Sequence, residues 1–252
     1  MKNKIETIPV TEAYEAGGEC PFCHMERAAE QRTIRHVLGP GASYMEPHMR
    51  GITDRAGFCR SHYKKLYDFS NALGNALMMQ SHYAGLIEEL DGVLKSYEPP
   101  QKKSFFLGRK KQKPQEDALA AWAKAKTGSC YICAHLEETM DRYYSTFFAL
   151  IKEQSFRTLV EQSKGMCISH FAQLMERAEE EVPQAQWDWF YETVPAQMRE
   201  NLVRVKEDID WFTGMFDYRN AGRDWKNSAD AVSRGMQKLK GGFPADDVYR
   251  NK

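Results

Sequence analysis

An all-α protein is what this sequence predicts, on three observations. Apolar residues recur at alternating spacings of three and four over long stretches. No stretch sustains the apolar–polar alternation of a half-buried strand, and Gly or Pro breaks fall between the periodic segments. The architecture is predicted as two tandem related helical halves, because Gly57-Phe-Cys-Arg-Ser-His62 returns as Gly165-Met-Cys-Ile-Ser-His170. Each copy is preceded by a C-x-x-C, Cys20/Cys23 in the first half and Cys130/Cys133 in the second. The chain therefore divides into a first helical repeat over 1–98, a basic linker over 99–115, a second repeat over 116–220 and a C-terminal helical tail over 221–252.

Element by element, Gly17-Gly18-Glu19-Cys20-Pro21 reads as a turn feeding a helix from Phe22 to Leu38, which Gly39-Pro40-Gly41 ends. Residues 42–56 lose periodicity and read as a loop, in which Met45, His48 and Met49 would be the donors of a soft-metal site if one were there. From Ser61 to Tyr97, the stripe Leu66, Phe69, Leu73, Ala76, Gln80, Tyr83, Ile87, Leu90 and Leu94 predicts one long helix, or two broken near Gly74. That stripe should face a core, with Leu77 taking the place of the polar Gln80.

Pro99-Pro100 stops that helix. The following segment carries Lys102, Lys103, Arg109, Lys110, Lys111 and Lys113 without one acid, around Phe105-Phe106-Leu107. Such a stretch can grip phosphates or an anionic membrane surface, although its composition is also that of a solvated linker. The second half opens with a helix over 116–126 and continues from Cys133 through Leu136, Met140, Tyr143, Phe147 and Ile151. A short apolar piece around Phe156 leads to the second motif, after which a helix ends before Pro183. Met198, Leu202, Val205, Ile209, Phe212 and Phe216 mark a last long helix, and Trp225, Ala229, Val232, Met236 and Leu239 mark a tail helix expected to pack inward.

Composition bounds the function classes. At 252 residues and 42% hydrophobic the chain is long enough for two cores, and 35 basic against 35 acidic residues exert no global pull toward nucleic acid or membrane. No segment has the apolar length of a transmembrane helix and the N-terminus has no signal-peptide core, so a cytoplasmic protein is expected. A glycine-rich phosphate loop, a nucleophile elbow and an H-E-x-x-H motif are all missing, and no catalytic residue is assigned.

The chemistry lies in the cysteines, all 6 of which occupy the repeated positions. In a reducing compartment disulfides are an unfavoured use for them, whereas C-x2-C followed by C-x2-H supplies the three thiolates and one imidazole of a tetrahedral metal site. Side chains at i and i+3 point the same way in a first helical turn, where free N–H groups and the helix dipole favour thiolates. The expected ligands are Cys20, Cys23, Cys59 and His62 in the first half and Cys130, Cys133, Cys167 and His170 in the second, each half holding a closed zinc site. Iron–sulfur clusters on the same ligands are the alternative, which would make a redox or iron-sensing protein. His24 and His135 are candidates to replace either histidine, and Glu26 and Glu137 could accept hydrogen bonds from the sites. Cys20 to His24 also fits haem attachment, and Cys20/Cys23 a redox dithiol, but neither reading uses the repeated C-x2-H.

On Cys20-Pro-Phe-Cys23, Gly57-Phe-Cys59-Arg-Ser-His62 and their second-half copies, the chain resembles an uncharacterised bacterial family, domain of unknown function 6062. The resemblance implies a duplicated metal-binding protein and transfers no catalytic residue. A binding or scaffolding module for an unknown protein partner is the resulting expectation.

Overall fold

A computed structural model describes residues 7–99, 117–242 and 244–251. The basic segment with Lys102, Lys103, Arg109, Lys110, Lys111 and Lys113, and with it the expectation of an anionic partner there, lies outside the described residues. Among those residues the secondary structure is helical, without strands. The α-helices are α1 (Thr7–Glu15), α2 (Pro21–Leu38), α3 (Pro47–Ala56), α4 (Arg60–Asp68), α5 (Ala72–Ser96), α6 (Ala118–Gly128), α7 (Tyr131–Leu150), α8 (Gln154–Gln162), α9 (Ile168–Glu181), α10 (Trp187–Gly214) and α11 (Ala231–Lys240). None of them is long and apolar enough to cross a membrane.

The chain forms two compact units, Met1–Glu30 with Leu136–Asp247 and Gln31–His135 with Val248–Lys252. The division cuts through α2 and α7, each of which gives residues to both units, and so does not coincide with the sequence halves.

The first unit is built on aromatic packing. Phe22 of α2 stacks on Tyr144 of α7 with ring centroids 4.6 Å apart, and Tyr14 meets Phe156 edge-on at 5.2 Å. Leu174, Phe190 and Val194 from α9 and α10 close the same core. Full burial of one such side chain is worth about 1.5–3 kcal/mol, so this cluster is what fixes α2, α7 and α9 against one another.

In the second unit Ile34, Val37, Leu38, Leu66, Phe69 and Met78 are buried. Residues 42–56 do not form a loop: Pro47 starts α3, and Met49 and Thr53 on its inner face are buried while Met45 and His48 are exposed. The long segment after Cys59 is two helices, broken by Ser70, whose φ of 68° is left-handed, and restarted by Asn71, whose side chain accepts the Gly74 N–H at 2.9 Å. The expected core stripe is buried only at Leu66 and Phe69, before α5 begins; the buried residues of α5 are Gly74 and Met78, neither of them in the stripe. Beyond Met78 no α5 residue is buried, and Leu73, Tyr83, Ile87 and Leu94 are exposed.

The tail helix is inverted relative to expectation. Its apolar members Val232, Met236 and Leu239 are exposed, and its buried face is Ala231, Arg234, Gly235, Gln237 and Lys238. The reason is an acidic partner inside the first unit. Buried Glu19 receives Arg204 at 2.5 Å, Lys238 at 3.3 Å and Arg234 at 3.5 Å, and Arg234 also meets Asp208 at 2.9 Å and Asp230 at 2.7 Å. Burial alone would raise the Glu19 carboxyl, but hydrogen bonds from Arg204 and the charge of Lys238 hold it below the usual Glu range.

Candidate metal centres

Each repeated motif spans the start of a helix. Cys20, Cys59, Cys130 and Cys167 immediately precede α2, α4, α7 and α9, and the second ligand of each pair sits three residues on. Backbone N–H groups aim at the first sulfur: Cys23 N–H at 3.4 Å from Cys20 Sγ, Cys133 N–H at 3.5 Å from Cys130 Sγ and His170 N–H at 3.4 Å from Cys167 Sγ. At these three helix starts an N–H is thus directed at a cysteine sulfur, where the helix dipole favours a thiolate. Gly57 and Gly165, two residues before Cys59 and Cys167, have φ of 59° and 68°, a turn into the helix that glycine adopts without steric cost.

The pairing of the motifs is not the expected one. Cys20 and Cys23 meet Cys167 and His170, and Cys130 and Cys133 meet Cys59 and His62. Within-half pairing of Cys20/Cys23 with Cys59/His62 is therefore corrected: each group takes its C-x-x-C from one sequence half and its C-x-x-H from the other. The physical reason is visible in the first unit, where α2 stacks on α7 and α9 through Phe22, Tyr144 and His170, Phe22 lying 5.8 Å from the imidazole. His24 and His135 belong to neither group and are exposed.

In both groups the donor atoms lie within 4.8 Å of one another. In the first, His170 Nδ1 is 3.1 Å from Cys167 Sγ and 3.4 Å from Cys20 and Cys23 Sγ, and Cys23 and Cys167 Sγ are 3.8 Å apart. In the second, His62 Nδ1 is 3.2 Å from Cys59 and Cys130 Sγ and 3.4 Å from Cys133 Sγ, with Cys59 and Cys133 Sγ at 3.8 Å. Disulfides, which need about 2.05 Å, are absent from these sulfurs. A tetrahedron of ~2.3 Å metal–sulfur bonds has S···S edges of about 3.8 Å.

Without metal, the four donors must share protons. In the first group hydrogen bonds from Cys20 and Cys23 hold the Cys167 thiol far below the usual range, whereas the bond to Cys167, then Cys20 and burial, push Cys23 far above it. Burial opposes charge on His170, but its bonds to Cys167 and Cys20 raise it to about 10. In the second group burial raises and Ser61, the His62 N–H and Cys133 lower the Cys59 thiol, with a net fall, while burial and Cys130 raise Cys133. Such proton crowding is relieved when a cation replaces the protons.

The surroundings of the groups differ. The first group is buried throughout, with Cys167 at 0% and Cys23 at 5% exposure. Lys238 donates to Glu19 O at 2.6 Å, to Lys164 O at 2.5 Å and to Met166 O at 3.5 Å, tying the strand of chain before Cys20 to the one before Cys167. Gly241, which ends α11, lies so that a Cβ there would stand 3.4 Å from Cys167 Sγ and 3.5 Å from Cys23 Sγ. Glu26 Oε2 is 3.6 Å from His170 Nε2, on the outer side of the imidazole.

In the second group Cys133 is exposed and Cys59 half-buried, and Ser61 Oγ is 3.1 Å from Cys59 Sγ. Its two motifs are joined by main-chain contacts, Tyr131 N–H to Gly57 O at 3.0 Å and Ser129 Oγ to Ala56 O at 2.7 Å. Lys238 and Gly241 are not legible in the sequence because no local pattern ties them to the cysteines, whereas Ser61 stands in the repeated motif, with Ser169 as its copy, and reads there only as part of the repeat.

The model of a family of unknown function, DUF6062, matches residues 1–246, and the chain belongs to that family. Neither a curated protein nor a solved structure matches it significantly.

Proposed function

We propose that this DUF6062 protein carries two structural zinc ions, one on Cys20, Cys23, Cys167 and His170 and one on Cys59, His62, Cys130 and Cys133, and serves as a binding or scaffolding module for another protein. The observation that carries this reading is the donor spacing: the 3.8 Å S···S contacts fit the edges of a single-ion tetrahedron. The N···S contacts of 3.1–3.4 Å lie just inside the about 3.5 Å of the same polyhedron. An iron–sulfur cubane gives each protein ligand its own iron and so needs its sulfurs spread more widely than one ion does.

Four protein donors leave no vacant position for substrate, which supports a structural role over a catalytic one. Zinc bound there would join the starts of two helices drawn from distant parts of the chain. We read the halves 1–98 and 116–220 as copies of one helical unit, 99–115 as their linker and 221–252 as an added tail. Free thiolates in these numbers suit a reducing compartment, and we place the protein in the cytosol.

Elemental analysis and an absorbance spectrum of anaerobically purified protein test the reading. Two zinc ions per chain and no visible absorbance are expected. Broad absorbance near ~400 nm with iron and sulfide would replace zinc by clusters. Protein free of metal, with all its thiols open to reagent, would sink both.

A further inference from the structure

The two groups offer the same donors at the same spacing and differ in what covers them, so a soluble reagent should distinguish them. We infer that Cys133 is a modification site for hydroperoxides, with Cys59 as its resolving partner, and that the second zinc centre opens on oxidation while the first stays closed. This rests on the zinc reading above.

The two sulfurs that solvent reaches in the second group are those of exposed Cys133 and half-buried Cys59, and they stand 3.8 Å apart. Their fellow ligands Cys130 and His62 are buried, at 8% and 5% exposure. The first group has an equal pair, Cys23 and Cys167 at 3.8 Å, but both are buried beneath Gly241 and behind the Lys238 clamp. Sulfur spacing being equal, access decides which pair reacts, since thiol oxidation follows thiolate character and exposure together.

The chemistry balances with hydrogen peroxide as the oxidant. Cys133 Sγ attacks one peroxide oxygen; an S–O bond forms, the O–O bond breaks, and hydroxide leaves to take up a proton as water. Cys59 Sγ then attacks the Cys133 sulfur; the S–S bond forms and the S–O bond breaks, releasing a second hydroxide that also becomes water. Two thiolates are oxidised to one disulfide, one peroxide is reduced to two waters, and zinc is left with Cys130 and His62 alone.

Full-length protein, shown by elemental analysis to hold two zinc ions, is titrated with hydrogen peroxide beside a chromogenic zinc chelator. The result expected is loss of one of the two zinc ions, an intact mass lower by two hydrogens and a disulfide mapped by digestion to Cys59 and Cys133. Thiol reductant with added zinc should restore the lost equivalent. Release of both ions at one rate, or a disulfide mapped first to Cys23 and Cys167, overturns the inference while leaving the zinc reading intact. Absence of zinc before oxidation overturns both.

Discussion

A buried ammonium group has to recover the hydration it gives up, and Lys238, at 1% exposure, does so with main-chain carbonyls of Glu19, Lys164 and Met166 and the Glu19 carboxylate. Burial lowers its pKa and the Glu19 charge partly restores it, the pattern of a cation held in place by its surroundings. Lys238→Met should remove about 3 kcal/mol of stability, at the low end for a broken buried pair because Glu19 keeps Arg204 and Arg234. It should also weaken zinc about 10–100-fold at the first centre and leave the second unchanged. Met236→Ser on the outward face should shift stability by no more than about 0.5 kcal/mol. Urea unfolding and zinc competition check all three; equal weakening at both centres would refute the assigned role of Lys238. The eight residues that gather into the two groups were legible in the sequence because cysteine and histidine at i and i+3 have few other uses, whereas one lysine among 35 basic residues carries no such mark.

At the scale of elements, periodicity located the helices better than it located their buried faces. The α5 stripe is regular in sequence yet none of its members within that helix is buried, and the apolar stripe of α11 points outward because Glu19 sets the opposite face inward. An apolar stripe states that a helix is amphipathic; which side is covered depends on what it packs against. Helix starts were more legible, since caps act locally. Asp117 begins α6 by accepting the N–H groups of Leu119 at 2.9 Å and Ala120 at 3.1 Å and the Tyr97 hydroxyl at 2.9 Å. Asp117→Ala should lower second-unit stability in chemical denaturation by removing this cap. The same hydrogen bonds hold the Asp117 carboxyl below its usual 3.8, so the cap contributes fully above that pH and is lost as pH falls through the lower, folded value. A wild-type minus variant difference that stayed constant into strong acid would contradict that role.

At the scale of the whole chain, the sequence shows which motifs repeat but carries no sign of which copy joins which. Spacing within each half suits a closed local site, and only the packing of α2 against α7 and α9 brings Cys20 and Cys23 to Cys167 and His170. The consequence is that neither sequence half owns a complete ligand set in its own unit, so metal content can report the chain's path directly. Cys23→Ser with Cys167→Ser removes two sulfurs from one centre under crossed pairing, and one sulfur from each centre under within-half pairing. The double variant should therefore keep one zinc ion, close to the content of Cys23→Ser alone. Cys23→Ser with Cys59→Ser, which strikes both crossed centres but a single within-half centre, should keep none under conditions where a three-ligand site is stripped by chelator. The opposite order of zinc contents in these two variants, measured by elemental analysis after identical chelator treatment, would restore the within-half arrangement. Because each crossed zinc would close a loop of the chain, and closing long loops restricts the unfolded state most, removing metal should also lower stability more at the first centre, where Cys23 and Cys167 are 144 residues apart, than at the second, where Cys59 and Cys133 are 74 apart.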